Sequence, residues 1–163
     1  MKYLIFLLFL LGVTQQGISQ NVQDYYAYIQ GLEGSGQSGA AAYLKGLYKN
    51  IAPTVYLEKD DIKFYGNTNP KRLISTAEDI PLNEKVMHFT SISNVELIVI
   101  NYSPESDIRL IYFSPDFIQQ LTSLQYIIFV PAFDVPIEKF DEIANHLNLP
   151  ANVIKLVRVS KGE

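Results

Sequence analysis

The spacing of apolar residues changes along this chain, and each change marks a different kind of structure. Tyr3 to Val13 is an almost unbroken apolar run. From Asn21 to Leu32 the positions Val22, Tyr25 or Tyr26, Ile29 and Leu32 recur at helical spacing, which predicts a short amphipathic helix ending near Gly31. After a Gly/Ser loop, Ala40 to Asn50 predicts a second helix, closed by Asn50 and by Pro53, which cannot continue a helix. Thr54 to Glu58 and Asp61 to Tyr65 alternate apolar and polar residues around Lys59 and Asp60, the period of two expected of a β-hairpin. Gly66 to Pro70 breaks it.

Beyond Pro70 the rhythm becomes long apolar runs separated by helical spacing. Asn94 to Ile100, Ser123 to Phe129 and Asn152 to Val159 predict three strands, each preceded by a predicted helix: Leu82 to Phe89, Pro115 to Leu121 and Pro136 to Leu147. The second helix opens on Ser114-Pro115-Asp116, where the serine can cap free backbone donors, the proline suits the first helical position and the aspartate complements the helix dipole. The third stops at Asn148, before Pro150. Strands joined by crossovers of more than a dozen residues pair in parallel, because a tight turn cannot join parallel strands. The expected fold class is therefore α/β: a parallel βα-repeat sheet in residues 71–163, preceded over 20–70 by a helical N-terminal half and the hairpin.

The repeat has a frame. Val95, Leu124 and Val153 are about 29 residues apart. Ile92-x-x-Val95-x-x-Ile98-x-Ile100 and Leu121-x-x-Leu124-x-x-Ile127-x-Phe129 share one apolar spacing, which Val153-x-x-Leu156 continues weakly. Over residues 81–159 the chain thus resembles a short, degenerate leucine-rich repeat array. It departs from that family in lacking the asparagine expected after each strand, Asn101 falling too early, and in placing Arg158 in an apolar slot. The resemblance implies a binding surface rather than an enzyme; the alternative is a small open α/β sheet with crossovers of equal length.

The predicted strands are apolar on both sides. Ile98, Ile100, Ile127, Phe129 and Leu156 are assigned to one face, and Leu97, Val99, Tyr126, Ile128, Val130, Val157 and Val159 to the other. Continuous apolar runs belong to parallel strands covered on both faces. In a stacked array the crossover helices cover only one. The second face, with Leu97, Val99, Tyr126, Ile128, Val130 and Val157, is therefore the expected binding surface for a protein partner, unless the N-terminal half Val22 to Ile51 covers it.

The first nineteen residues change the picture of where this domain works. Lys2, the apolar run and the polar Thr14 to Ser19, with small Gly17 and Ser19 at the end, have the three regions of a cleavable signal peptide. The run is about half of the roughly 20 apolar residues needed to span a bilayer. The expectation is an exported, periplasmic or secreted protein of bacterial type, cleaved before Gln20, with no membrane span thereafter and one domain over 20–163. Absence of cysteine excludes disulfides, thiolate metal sites and thiol nucleophiles. With 13 basic and 17 acidic residues and no basic cluster, nucleic acid is not an expected partner.

Candidate chemistry is sparse. Gly34-Ser35-Gly36-Gln37-Ser38-Gly39 matches a dinucleotide fingerprint with Glu58 about 20 residues on, but a helix rather than a buried strand is predicted before it, so a flexible loop is the better reading. Glu84 with His88, and Glu142 with His146, sit one helical turn apart. Stacked neighbours would separate the two pairs by roughly 9 to 10 Å, too far to share one zinc; neither a metal nor a cofactor is expected. Asp60 with Asp61, and Glu138 with Asp141 and Glu142, are read as solvated. Tyr25, Tyr26 and Tyr28 cannot all face the core of one helix, so one is expected to be exposed, where a snorkelling surface tyrosine is the commoner case and stacking on a sugar or a partner the alternative. The functional expectation is an exported, non-enzymatic binding or structural module acting on a protein; the alternative is a small envelope hydrolase using carboxylates.

Overall fold

In a computed structural model that describes residues 21–49, 52–58, 61–66, 69–80, 90–103 and 111–159, the elements follow the order β1 (Gln23–Asp24), α1 (Tyr25–Gly34), α2 (Ser38–Lys49), β2 (Thr54–Glu58), β3 (Asp61–Tyr65), β4 (Arg72–Thr76), β5 (Leu97–Tyr102), α3 (Pro115–Gln120), β6 (Tyr126–Pro131), α4 (Glu138–His146) and β7 (Ile154–Val157). The expected signal peptide and the helix expected over Leu82 to Phe89 lie outside the described residues. Local chemistry accounts for the element ends. Asp24, in extended conformation, accepts the Ala27 N–H at 2.8 Å and starts α1. Ser114 accepts the Phe117 N–H at 3.2 Å, with Pro115 in the first turn of α3. Gly36 takes φ 80° in the turn joining α1 to α2.

The strands form one seven-stranded sheet in the order β1-β7-β6-β5-β4-β2-β3. Only β3 runs antiparallel, as the second arm of the hairpin. The fold is mixed α/β with a mostly parallel sheet, and two strands escape the sequence reading. β4 carries Arg72 and Ser75 inside its run, which hides its apolar character. Arg72 is nevertheless buried, because its guanidinium donates to the carbonyls of Leu47 (3.3 Å) and Tyr48 (2.5 Å) at the C-terminal end of α2 and to Thr54 Oγ1 (3.1 Å). A cation there satisfies carbonyls that the helix leaves free. β1 has only two residues, too few to show a period. Its buried neighbour Val22 donates its N–H to Asp141 Oδ1 at 2.6 Å, so the helix begins at Tyr25 rather than Asn21.

Each face of the sheet carries its own core. On the front, Val55, Leu57, Leu73, Ile98, Ile100, Ile127, Phe129 and Val157 meet Phe117 of α3 and Phe140, Ile143 and Ala144 of α4. On the back, Leu97, Val99, Tyr126, Ile128 and Leu156 meet Tyr25 and Ile29 of α1 and Ala41, Leu44 and Leu47 of α2. The N-terminal helices are therefore what covers the second apolar face. The face assignment read from sequence holds for β5 and β6 and is corrected for β7, where Leu156 faces back and Val157 front. Pairing Ile98 with Ile127 is an offset of 29 residues, but pairing Ile127 with Lys155 is one of 28. Since side chains alternate, one residue of slip reverses every face.

Candidate functional site

The register of the parallel strands sets the back-face side chains in three rows across the sheet, about 4.8 Å apart from strand to strand. The row nearest the strand starts is Thr54, Arg72, Leu97, Tyr126 and Ile154. The middle row is Tyr56, Ile74, Val99, Ile128 and Leu156. The last row, at the strand ends, is Glu58, Thr76, Asn101, Val130 and Arg158, in which Thr76 pairs with Asn101, Asn101 with Val130, and the Arg158 N–H continues the ladder to the Phe129 carbonyl. Burial falls across these rows. Leu97, Val99, Tyr126 and Ile128 lie buried beneath α1 and α2, whereas Glu58 and Thr76 are exposed and Asn101, Val130 and Arg158 half-buried. Among the described residues, α1 and α2 stop short of the strand ends, where this row forms a strip across the sheet.

This redistributes the six residues read as a binding surface. Leu97, Val99, Tyr126 and Ile128 are core, Val157 belongs to the opposite face, and Val130 alone reaches the strip. Those assignments followed apolarity, and apolarity marks the part of the face that the chain covers itself. The strip was signalled instead by two residues that broke the repeat frame, Asn101 and Arg158. Thr76 carried no signal, because β4 was not recognised.

Arg158 anchors one end of the strip. Its Nε donates to the Tyr26 hydroxyl at 3.0 Å, its Nη1 to the Tyr48 hydroxyl at 2.9 Å, and its guanidinium carbon lies 5.5 Å from the centre of the Tyr48 ring. The bond to Tyr26 pushes its pKa up, desolvation opposes this, and the bond to Tyr48 adds to the rise. Tyr25 packs 5.3 Å from both the Tyr26 and the Tyr48 rings. Its hydroxyl is buried with no hydrogen-bond partner among the described residues, and desolvation raises its pKa. Of the three tyrosines weighed from the sequence, Tyr25 is thus core, while Tyr26 and Tyr28 are half-buried. At the other end of the strip, Glu58 pairs with Lys63 at 2.5 Å, and Tyr56 packs edge-on to Tyr65 with ring centres 5.2 Å apart.

A second polar group lies at the opposite ends of the strands. Glu96, just before β5, is buried and accepts from Lys71 Nζ and from the Tyr43 hydroxyl. Burial would raise its pKa, but those two hydrogen bonds outweigh burial and hold the carboxyl below its ordinary value. The same bond pushes the Tyr43 phenol up to about 12. A carboxylate engaged by both oxygens in this way ties β4, β5 and α2 together rather than presenting a free base.

The other sequence candidates occupy structural places. The Gly34 to Gly39 segment joins two helices, with no strand before it to form a dinucleotide fold. Asp61 accepts its neighbour Ile62's N–H at 2.8 Å on the sheet edge, and Asp141, read as solvated, holds Val22. His146 and Glu142 are exposed on α4, while His88, Glu84 and Asp60 lie outside the described residues. Among the described residues no three His, Cys, Asp or Glu side chains gather, and no helix is long and apolar enough to cross a membrane. No protein-family model, curated protein or solved structure matches this chain.

Proposed function

We propose that this protein is an exported, non-enzymatic binding module whose ligand lies across the strand-end strip of the back face. The observation that carries the reading is that strip: a row of polar and half-buried side chains, from Glu58 through Thr76, Asn101 and Val130 to Arg158, continuing a sheet face whose Leu97, Val99, Tyr126, Ile128 and Leu156 are buried beneath α1 and α2. Its spacing is imposed by the ladder, so the groups are pre-positioned on rigid elements, which lowers the cost of ordering them on binding. The carboxylates Glu58, Glu96, Asp24 and Asp141 are each engaged by a cation or a backbone N–H, which favours binding over the alternative of a carboxylate hydrolase. Export rests on the three-part N-terminal segment. The resemblance of β5 to β7 and their connections to a short leucine-rich array is part of the same proposal.

Two measurements test it. Expression of the whole chain in a bacterial host should yield a protein whose intact mass begins at Gln20; recovery of the uncleaved chain in the membrane fraction contradicts export. Wild type and an Asn101→Trp variant should then be applied to immobilised arrays of saccharides and peptides. Signals present for the wild type and lost in a folded variant support the strip, and an array pattern that the tryptophan leaves unchanged refutes it.

A further inference from the structure

The strip lies inside the sheet, and this limits what can bind there. The backbone groups of β4, β5 and β6 are engaged in ladders on both sides. A peptide therefore cannot add to them as a further strand, and recognition must run through side chains. Those side chains are the carboxylate of Glu58, paired with Lys63, the hydroxyl of Thr76, which donates to Asp79 Oδ2 at 2.7 Å, and the amide of Asn101, beside the half-buried ring of Tyr56. Mixed donors and acceptors next to an aromatic ring suit a ligand bearing many hydroxyls and an apolar ring face.

Arg158 makes the strip asymmetric. Its two hydrogen bonds, Nε to Tyr26 and Nη1 to Tyr48, engage two of the five N–H donors of a guanidinium. Both partners are neutral phenols, and among the described residues no carboxylate lies within ion-pair distance of it. Among the described residues this half-buried cation therefore has no counter-ion, in a chain of net charge −4. The planar group that matches the remaining fork of a guanidinium in two parallel hydrogen bonds is a carboxylate.

We infer that the strip takes an extended saccharide bearing a carboxylate, the acid seated on Arg158 and the neutral rings running over Val130 and Asn101 towards Thr76 and Tyr56. This deepens, and rests on, the binding reading above. Five positions at about 4.8 Å give a platform of roughly 19 Å, long enough for several sugar rings. Tyr26 and Tyr48 hold the guanidinium through Nε and Nη1, and its Nη2 edge is offered to the acid.

The test is a titration of the full mature chain, followed by amide chemical shifts, with three probes: a galactose oligosaccharide ended by a single galacturonic acid, the corresponding neutral galactose oligosaccharide, and a tetraglutamate peptide. The acid-ended oligosaccharide is expected to move the Asn101, Val130 and Arg158 amides, and to bind at least tenfold more tightly than the neutral oligosaccharide. Arg158→Met should remove that preference and Arg158→Lys restore part of it. Because Arg158 also links β7 to two helices, Asn101→Leu supplies a second variant that leaves the guanidinium and its phenols intact; it should weaken both saccharides alike. Equal binding of acidic and neutral saccharides at the strip overturns the role of Arg158 while the binding reading stands. Tighter binding of the peptide there overturns the saccharide. No shift with any probe overturns the inference, and shifts confined to other surfaces overturn the binding reading as well.

Discussion

At the scale of single residues, Glu96 shows how a charge can be kept inside this sheet. Its carboxylate is buried at the start of β5, where Lys71 and the Tyr43 hydroxyl supply donors to its two oxygens. Desolvation raises its pKa, and the two hydrogen bonds more than reverse this, so the folded value lies below the ordinary 4.5. A group whose pKa is depressed by folding contributes stability that is fully present above the unfolded value and is lost as pH falls through the folded one. The protein should therefore lose stability on acidification below 4.5, and Glu96→Gln should flatten that loss while lowering stability at neutral pH. Urea unfolding at neutral pH and at pH about 3 checks this; parallel pH profiles for wild type and variant would assign the acid sensitivity to other groups. None of this was legible in the sequence, where Lys71, Tyr43 and Glu96 are far apart and show no spacing that joins them.

At the scale of elements, most of the pattern was legible because each element obeys its own period. The hairpin arms lie where alternation placed them, and Ser114 caps α3 as its local sequence implies. Elements whose reason lies elsewhere in the chain were missed. β4 tolerates Arg72 because α2 ends above it, and β1 exists because β7 offers it an edge. β1 also delivers Asp24 to the N-terminus of α1, so one residue both pairs with β7 and caps the helix. Asp24→Ala should cost about 1 kcal/mol of stability through the lost cap, read as a lower urea midpoint at unchanged slope. A change in slope would mean instead that β1 and α1 detach from the sheet as a unit.

At the scale of the whole molecule, one question decides what the apolar strands are for: whether the chain or another molecule covers the back face. α1 and α2 cover it, burying Val99 and Ile128 against Ile29 and Leu44. A charge placed there has no partner and no water, a penalty that rivals the total stability of a domain, about 5–15 kcal/mol. Val99→Asp or Ile128→Asp should abolish folding, seen as loss of the far-ultraviolet circular dichroism of the sheet. Asn101→Asp, two residues along the same strand but on the half-buried strip, should stay folded, within about 0.5 kcal/mol of wild type. A folded Val99→Asp protein would contradict the packing of the N-terminal helices on the sheet.

By itself the sequence determined the local periods, and through them the elements other than β1 and β4, the parallel pairing and the need for cover on both faces. Helix and strand periods are written in neighbouring residues, and long crossovers leave parallel pairing as the available geometry. Tertiary structure decided the rest. It placed α1 and α2 over the back face, set β7 one residue out of the repeat frame, and brought Arg158 to Tyr26 and Tyr48 across more than a hundred residues of chain. Those outcomes depend on which surfaces fit, and a one-residue difference in crossover length, invisible in composition or period, is enough to turn a side chain from one core to the other.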